Sequence, residues 1–495
     1  MARATSDPVL LTGSVIAHNE DCACPDNGSL LVFDSYTGNA DNDCACADTP
    51  AALSGAQPTM PILWARAADV AITPLHDAFH LAFSPFAPAG PSVLNHAALQ
   101  RWQTFKTPHL LSNDMLDQQL VAQRLIQPVD AQLAWQQPAP EMLTAWLHVT
   151  NACNLDCPYC YVRKSSAHMS EATGRAALAA LFAAATEQGF RALKLKYAGG
   201  EATLHFARIR QLHDEALRLA QQNDMTLQEV VLSNGVHLRR EDVVWMQAAG
   251  IKLAISLDGV GAAHDQQRPL RNGRGSFAAL EHTVDEVLLP LGYRPDVTIT
   301  VTRLNADGVA DAVRWAIARD LPVSLNFYRA NPQTLSRHDL QLEETTIIHG
   351  MEAAYRVFEE LLPVRPFLNG LLDRVQAQAH THTCGVGLSY AVITHEGKLA
   401  QCQMHLDSPL SGALDADLLR LTASGPIRNL PVDEKEGCRD CTYRYRCTGG
   451  CALETYRATG RWDIRSPHCH IYRTLYPQAM RLEGLRLLKA HGYLQ

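Results

Sequence analysis

Apolar residues follow a repeating rhythm through the middle of the chain. Short apolar runs recur at TAWLHVT (144–150), ALKLKYA (192–198), EVVLSNG (229–235), IKLAISL (251–257), VTITVT (297–302) and PVSLNFY (322–328). Each has the length of a strand. Between most of them lie stretches with apolar residues at helical spacing, such as EATGRAALAALFAAATEQ, FARIRQLHDEALRLAQQ, FAALEHTVDEVLL and ADAVRWAIARD. Strands alternating with helices predict parallel pairing through right-handed crossovers. Six such units predict an α/β fold, an open partial (β/α)6 barrel of TIM-like type, with reactive residues just beyond the strand C-termini. A further helix, EETTIIHGMEAAYRVFEELL, leads into a cysteine-rich end.

The first part of the chain reads differently. Residues 1–60 are rich in Asp, Asn, Gly and Ala, with one predicted strand, SLLVFDSY (29–36). An alternating stretch, AFHLAFSPF (78–86), precedes VLNHAALQRW and SNDMLDQQLVAQRLI, where Asn95 and Asn113 or Asp114 are candidate helix N-caps. Strand, helix, helix is compatible with a small winged-helix-like module. Pro128 and QQPAP (136–140) then read as a linker. The expected divisions are an N-terminal segment 1–60, the module 61–140, the barrel 141–365, a cysteine-rich domain 366–480 and a tail 481–495.

Composition narrows the class. Of 495 residues, 47% are hydrophobic and 19% charged, which excludes wholesale disorder. The net charge of −8 argues against nucleic acid and against a polybasic membrane anchor. No apolar run approaches the about 18 residues of a membrane helix, and the start lacks the features of a signal peptide. A cytoplasmic protein is expected. Its 14 cysteines are clustered: Cys22, Cys24, Cys44 and Cys46 in two Cys-Ala-Cys pairs, then Cys153, Cys157 and Cys160, then seven from Cys384 to Cys469. Without secretion, clustered thiols point to metal rather than to disulfides.

Cys153-Asn-Leu-Asp-Cys157-Pro-Tyr-Cys160 begins just past the first strand, on the reactive face. Three thiolates so close together can hold three irons of a cubane and leave the fourth open. A zinc loop completed by His148 or His168 is the bland alternative. The loop resembles the CxxxCxxC signature of the radical SAM superfamily, including the aromatic Tyr159. Gly199-Gly200-Glu201, after the second strand, resembles the family motif that holds the methionine amino group of S-adenosylmethionine. Glycines there permit close backbone approach. Ile255-Ser256-Leu257-Asp258-Gly259 and His264-Asp265-Gln266-Gln267-Arg268 are similar to segments of the peptide-modifying branch. The resemblance implies ribose and carboxylate contacts for Ser256 and Arg268, and adenine near the Tyr159 backbone. Asn234, in Ser-Asn-Gly, is a further candidate, although Asn-Gly is commonly a turn.

The tail reads Cys384, twelve residues, Gly397, four residues, Cys402, then Cys438-x2-Cys441-x5-Cys447-x3-Cys451, and finally Cys469. Zinc ribbons use similar pairs. The whole array resembles the SPASM domain, which carries two auxiliary iron–sulfur clusters. The resemblance implies that Cys438, Cys441, Cys447 and Cys469 hold a distal cluster, and Cys384, Cys402 and Cys451 a proximal one. With the cluster on Cys153, Cys157 and Cys160, that makes three [4Fe-4S] clusters plus S-adenosylmethionine. Some family members supply a fourth proximal ligand from a cysteine slightly upstream of the first; here only Gln378, His380 and His382 lie there, so either a His closes the site or one iron is open. Sulfatase-maturating relatives place an Asp base directly after the Gx4C cysteine, and here that residue is the neutral Gln403.

The implied activity is formation of a 5′-deoxyadenosyl radical and of a thioether or carbon–carbon cross-link in a ribosomally made peptide. Expected partners are a precursor peptide or small protein and an external electron donor of flavodoxin or ferredoxin type, with no nucleic acid and no membrane. The module around Val93-Leu94-Asn95-His96-Ala97-Ala98 resembles winged-helix elements that capture leader peptides by strand addition. Alternatives are a radical SAM dehydrogenase or epimerase acting on a small molecule, and a thiolate metal-storage protein. Cys22, Cys24, Cys44 and Cys46 have no place in these motifs.

Overall fold

The computed structural model describes residues 7–13, 62–112, 114–131, 137–334, 336–412, 414 and 417–494. The expected strand 29–36, Asn113 and the four N-terminal cysteines lie outside them.

The N-terminal strands are β1 (Leu10–Thr12), β2 (Trp64–Arg66), β3 (Ala71–His76), β4 (Phe79–Phe83), β5 (Ser92–Leu94) and β6 (Ile126–Pro128). Four of them form an antiparallel sheet in the order β1-β5-β4-β3, and β2 pairs with β6. Helix His96–Thr104 starts at Asn95, whose side chain accepts from the Ala98 N–H, and helix Met115–Ala122 starts at Asp114, which accepts from Asp117. Both caps satisfy donors that a helix start otherwise leaves free.

The central part alternates strand and helix as its apolar rhythm predicts. Its strands are β7 (Met142–Thr150), β8 (Ala192–Gly199), β9 (Thr226–Ser233), β10 (Lys252–Ser256), β11 (Asp296–Val301) and β12 (Val323–Phe327). All six are parallel and lie side by side in sequence order. Helices such as Glu171–Glu187, Phe206–Gln222, Val309–Ala318 and Glu344–Leu361 follow these strands. Alternation divides each strand between two faces. Along β7, Leu143, Ala145, Leu147 and Val149 join the main core, leaving Thr144, Trp146, His148 and Thr150 for the other face.

Two further strands, β13 (Tyr390–Ile393) and β14 (Leu399–Ala400), have no counterpart among the predicted elements. They extend the sheet beyond β7, β13 parallel to β7 and β14 antiparallel to β13, to make eight strands. The last helix, Cys469–Ala490, runs across residue 480 and is mostly buried. It packs against the N-terminal sheet, where a Cβ on Gly484 would lie 2.6 Å from the Leu81 side chain. Among the described residues no helix is long and apolar enough to cross a membrane.

Arg446 ties the N-terminal module to the cysteine-rich end. It is wholly buried, and its guanidinium donates to the carbonyls of Ala87 at 2.7 Å and Ser84 at 3.1 Å, and also to that of Ala377. Phe83 lies 5.5 Å from its guanidinium carbon, and Phe86 packs on Tyr445. A buried cation held by carbonyls is costly to remove, because its acceptors then lose their donor in a dry setting. R446M should lower stability by about 3 kcal/mol, read as an earlier urea midpoint and faster proteolytic release of the module. An unchanged midpoint would show that the two parts are held together by other contacts.

Candidate functional site

The loop after β7 carries Cys153, Cys157 and Cys160, and it is shaped by the end of β8. Gly200 N–H donates to Thr150 O and Glu201 N–H to Ala152 O, each at 2.7 Å. A Cβ on Gly199 would stand 2.4 Å from Thr150 O, and one on Gly200 would stand 2.4 Å from Ala152 O. Only glycine lets the two backbones meet this closely. Glu201 is buried, and its carboxylate accepts from Thr203 N–H and hydroxyl, from Ser233 Oγ at 2.9 Å and from Asn234 N–H at 2.7 Å. It is a brace between the ends of β8 and β9, while Gly200 lines the cavity itself. Asn234 continues the brace, donating from Nδ2 to Asn154 Oδ1 at 2.7 Å.

One cavity collects most of the residues that the sequence singled out. Cys153, Cys157, Tyr159, Cys160, Gly200 and Arg268 line it. Cys384, Cys402 and Cys451 line the same cavity. Thus six thiols, drawn from two distant stretches of sequence, share one space. The other four, Cys438, Cys441, Cys447 and Cys469, line a second cavity together with Tyr443, Tyr472 and Tyr476. All ten described cysteines are free thiols. Ser256 does not line the first cavity; it pairs in register with Thr298, which does.

Arg268, Tyr159 and Asp258 form a buried cluster beside Cys157. Tyr159 donates to Asp258 Oδ2, Arg268 donates to the Tyr159 hydroxyl, and Arg268 reaches Asp258 at 3.2 Å. Asp258 Oδ1 accepts from Thr300 N–H at 2.8 Å, which fixes the carboxylate. Burial opposes the charge on Arg268, but Tyr159, Cys157 and Asp258 outweigh it and hold the guanidinium protonated. Its Nε is buried without a protein acceptor. A ligand carboxylate matches that donor in charge and geometry.

The electrostatics suit anionic clusters. Lys164, Arg268, Arg329 and Arg374 line the first cavity, and among the described residues no Asp or Glu does. Arg329 and Arg374 share Asp373, at 2.7 Å and 4.0 Å. Burial pushes the Cys157 thiol up to about 12, with Arg268 pulling the other way. Burial likewise raises Cys153, and takes Cys447 to about 12 and Cys438 to about 11. Metal ligation is what makes such buried thiols ionise. Among the described residues, no three His, Cys, Asp or Glu converge on a single-ion position. His148 is occupied with Asn151 Oδ1 at 2.7 Å and lines a different cavity, and His168 stacks on His205.

Several residues at the site carried no sequence signal. Asn331 is fully buried and donates to Tyr159 O at 3.3 Å. Gln403, which the sequence singled out, accepts at Oε1 from Tyr390 at 2.8 Å. Arg329 and Arg374 lie in no motif, although a charged residue just past the last strand of an α/β unit, where Arg329 stands, is a usable hint.

No family model matches the chain. It is similar to the sporulation killing factor maturation protein SkfB of Bacillus subtilis, 25% identical over 301 residues, 59% of this chain and 68% of SkfB. It is also similar to the serine-type anaerobic sulfatase-maturating enzyme of Klebsiella aerogenes, 23% identical over 377 residues, 68% of this chain and 87% of that enzyme. The solved structure of native anSMEcpe with bound AdoMet and Cp18Cys peptide shares the fold, with a TM-score of 0.55 at 16% identity. The match covers 70% of this chain and 99% of that one. The chain accordingly shares this fold and is similar in sequence to radical SAM enzymes of the SPASM-type maturase class.

The raised Cys157 thiol gives a pH signature in iron-free protein. An ordinary thiol, near about 8.5, is mostly ionised by pH 10, whereas Cys157 at about 12 is not. Alkylation of Cys157 by iodoacetamide, followed by peptide mass spectrometry, should still climb steeply at pH 10 and stop once iron is loaded. A rate already level at that pH contradicts the buried setting.

Proposed function

We propose that this chain matures a ribosomally made peptide or small protein by forming a thioether or carbon–carbon cross-link. The observation that carries the reading is the single cavity lined by Cys153, Cys157 and Cys160 together with Cys384, Cys402 and Cys451. Cys153, Cys157 and Cys160 would hold a [4Fe-4S] cluster and S-adenosylmethionine, and the seven tail cysteines two auxiliary [4Fe-4S] clusters. Bound there, these groups supply a primary-carbon radical able to take a hydrogen atom from an unactivated carbon, and an acceptor for the electron left behind. Arg268 Nε meets the methionine carboxylate, and Gly200 leaves room for the methionine end. Tyr159, Ser256, Asp258 and Asn234 shape the nucleoside side, while Glu201 fixes the loop. Phe327, Val386, Met404, Ile427 and Leu453 give the cavity apolar walls that exclude water from the reacting carbon.

A peptide substrate is supported by the relatives: SkfB is named as a maturation protein, and anSMEcpe was solved with a peptide. Gln403 stands at the cavity without a carboxylate, which argues against formylglycine chemistry here. The six parallel units act as a partial barrel, and the N-terminal sheet, with β3 at its edge, acts as a winged-helix-like peptide-capture module by strand addition. Electrons come from an external donor of flavodoxin or ferredoxin type. With S-adenosylmethionine and a reductant, anaerobically loaded protein should release deoxyadenosine, and C153A, C157A or C160A should abolish the release. Co-expression with peptides encoded nearby should give a product lighter by two hydrogens per cross-link; unchanged mass across all candidates would overturn the reading.

Among the described residues the proximal set has three thiols and no fourth. His380 faces Thr448 Oγ1 at 3.5 Å, His382 Nδ1 meets Thr381 Oγ1 at 2.8 Å, and neither lines the cavity. We therefore assign the proximal site an iron open to a substrate sulfur, since thiolate is the soft ligand an iron–sulfur centre accepts. A thiol-containing peptide should perturb the electron paramagnetic resonance signal of this cluster, and its Ser variant should not. An anaerobic structure with a fourth protein ligand on that cluster would falsify the assignment.

A further inference from the structure

We infer that Lys435 is a counter-charge shared by the two auxiliary clusters and that it sets their reduction potentials together. This rests on the reading of the seven tail cysteines as cluster ligands. Lys435 is 1% exposed, although lysine is seldom fully buried without a paired charge. Its Nζ donates to Thr448 O at 2.7 Å and to Thr383 Oγ1 at 3.3 Å. Burial pulls the ammonium below its ordinary value, and the thiols of Cys438, Cys384, Cys447 and Cys451 act against that pull. Two of these belong to the distal set and two to the proximal set, so the ammonium stands between the two sites.

The backbone is built around this side chain. Thr448, Gly449 and Gly450 all have positive φ, at 48°, 79° and 75°. A Cβ on Gly449 would lie 2.8 Å from Lys435 Cδ and 3.2 Å from Cys438 Sγ. The turn between Cys447 and Cys451 thus gives up its side chain to let the lysine stem pass beside a ligand sulfur. Thr383, one residue before Cys384, donates to Gly450 O at 2.7 Å, and Thr448 Oγ1 donates to Thr383 Oγ1 at 3.2 Å. Lys435, Thr383 and Thr448 form one buried polar knot that touches both cysteine sets.

A cluster that takes up an electron gains one negative charge, and a nearby fixed cation favours that state. Cross-link formation removes two hydrogens. One leaves as an atom, the other as a proton, and the remaining electron passes from the product radical to an auxiliary cluster, which is reduced by one. A cation shared by both clusters makes each a better acceptor and keeps their potentials close. Lys435 is thus a positioning residue for charge; it does not touch substrate.

The test is potentiometry followed by electron paramagnetic resonance on iron-loaded full-length protein, comparing wild type with K435M and K435R. K435M keeps the apolar stem over Gly449 and removes the charge. Both auxiliary potentials should fall together, by at least tenfold in the reduction equilibrium, which for one electron is 59 mV. The cluster on Cys153, Cys157 and Cys160 should move less and serves as reference, and K435R should restore both values. Unmoved potentials, or a shift in only one auxiliary cluster, overturn the inference. Should K435M lose iron, K435R decides: regained iron with wild-type potentials supports the shared charge, and failure of K435R as well overturns it. Wild-type protein with no auxiliary signals overturns the cluster reading instead, so the two failures are distinct.

Discussion

The arrangement of this site depends on one strand pairing. β13 lies parallel to β7, with Tyr390 opposite Thr144 and Ile393 opposite Leu147. β7 leads directly into the Cys153 loop, and β13 and β14 run between Cys384 and Cys402. The ladder therefore fixes two thiols of the tail against three thiols of the loop. A slip of one residue would turn every side chain on β13 to the opposite face. Tyr390 would then lose Gln403, and Cys402, which follows β14, would leave the cavity wall. The fully buried Tyr390, Ala391, Val392 and Ile393 make such a slip costly, because both faces of this strand are packed.

The loop itself is held from the other side. Two N–H donors at the end of β8, those of Gly200 and Glu201, grip its backbone, and the glycines there exist because side chains would occupy the space of Thr150 and Ala152. Glu201 links the same corner to Ser233 and Asn234 at the end of β9, and Asn234 reaches back to Asn154 inside the loop. A motif that sequence reading takes as a ligand contact is thus also the fastening of the loop that carries the iron-binding thiols. Position and binding are one feature: Gly200 lines the cavity while its neighbour Glu201 is committed to the brace.

The central fold was legible because parallel α/β units write their period plainly. The six predicted strands match β7 to β12 to within three residues at each end, and helix Phe206–Gln222 begins and ends where its apolar spacing does. Asn95 and Asp114 were readable as caps because short polar side chains before apolar periodicity have a local job. β13 and β14 were not readable. Both are short, β13 pairs with a strand some 250 residues earlier, and nothing local encodes a long-range ladder. Arg446 was invisible for a related reason. Its acceptors are backbone carbonyls at 84, 87 and 377, and any residue offers a carbonyl. Of the site, the cysteines stood out by their clustering and Gly200, Tyr159 and Arg268 by the resemblance of their motifs, whereas Arg329, Arg374 and Asn331 come from loops whose positions only the packed structure reveals.

Charge explains why these particular loops end where they do. Among the described residues the first cavity has cations on its lining and no carboxylate, yet Asp258 and Asp373 stand just behind Arg268 and Arg329. A carboxylate at the lining would repel an anionic cluster, and a guanidinium without support would be costly to bury. Placing the acid behind the base meets both demands: the cation is held protonated and aimed, and only its positive end faces the thiols. Lys435 follows the same rule in another form. It has backbone and hydroxyl oxygens behind it and thiols of both sets around it, so its charge is left for what those thiols hold. In this protein the buried bases are oriented by neutral or screened partners, and the thiol sites receive fields that no exposed charge in water could sustain.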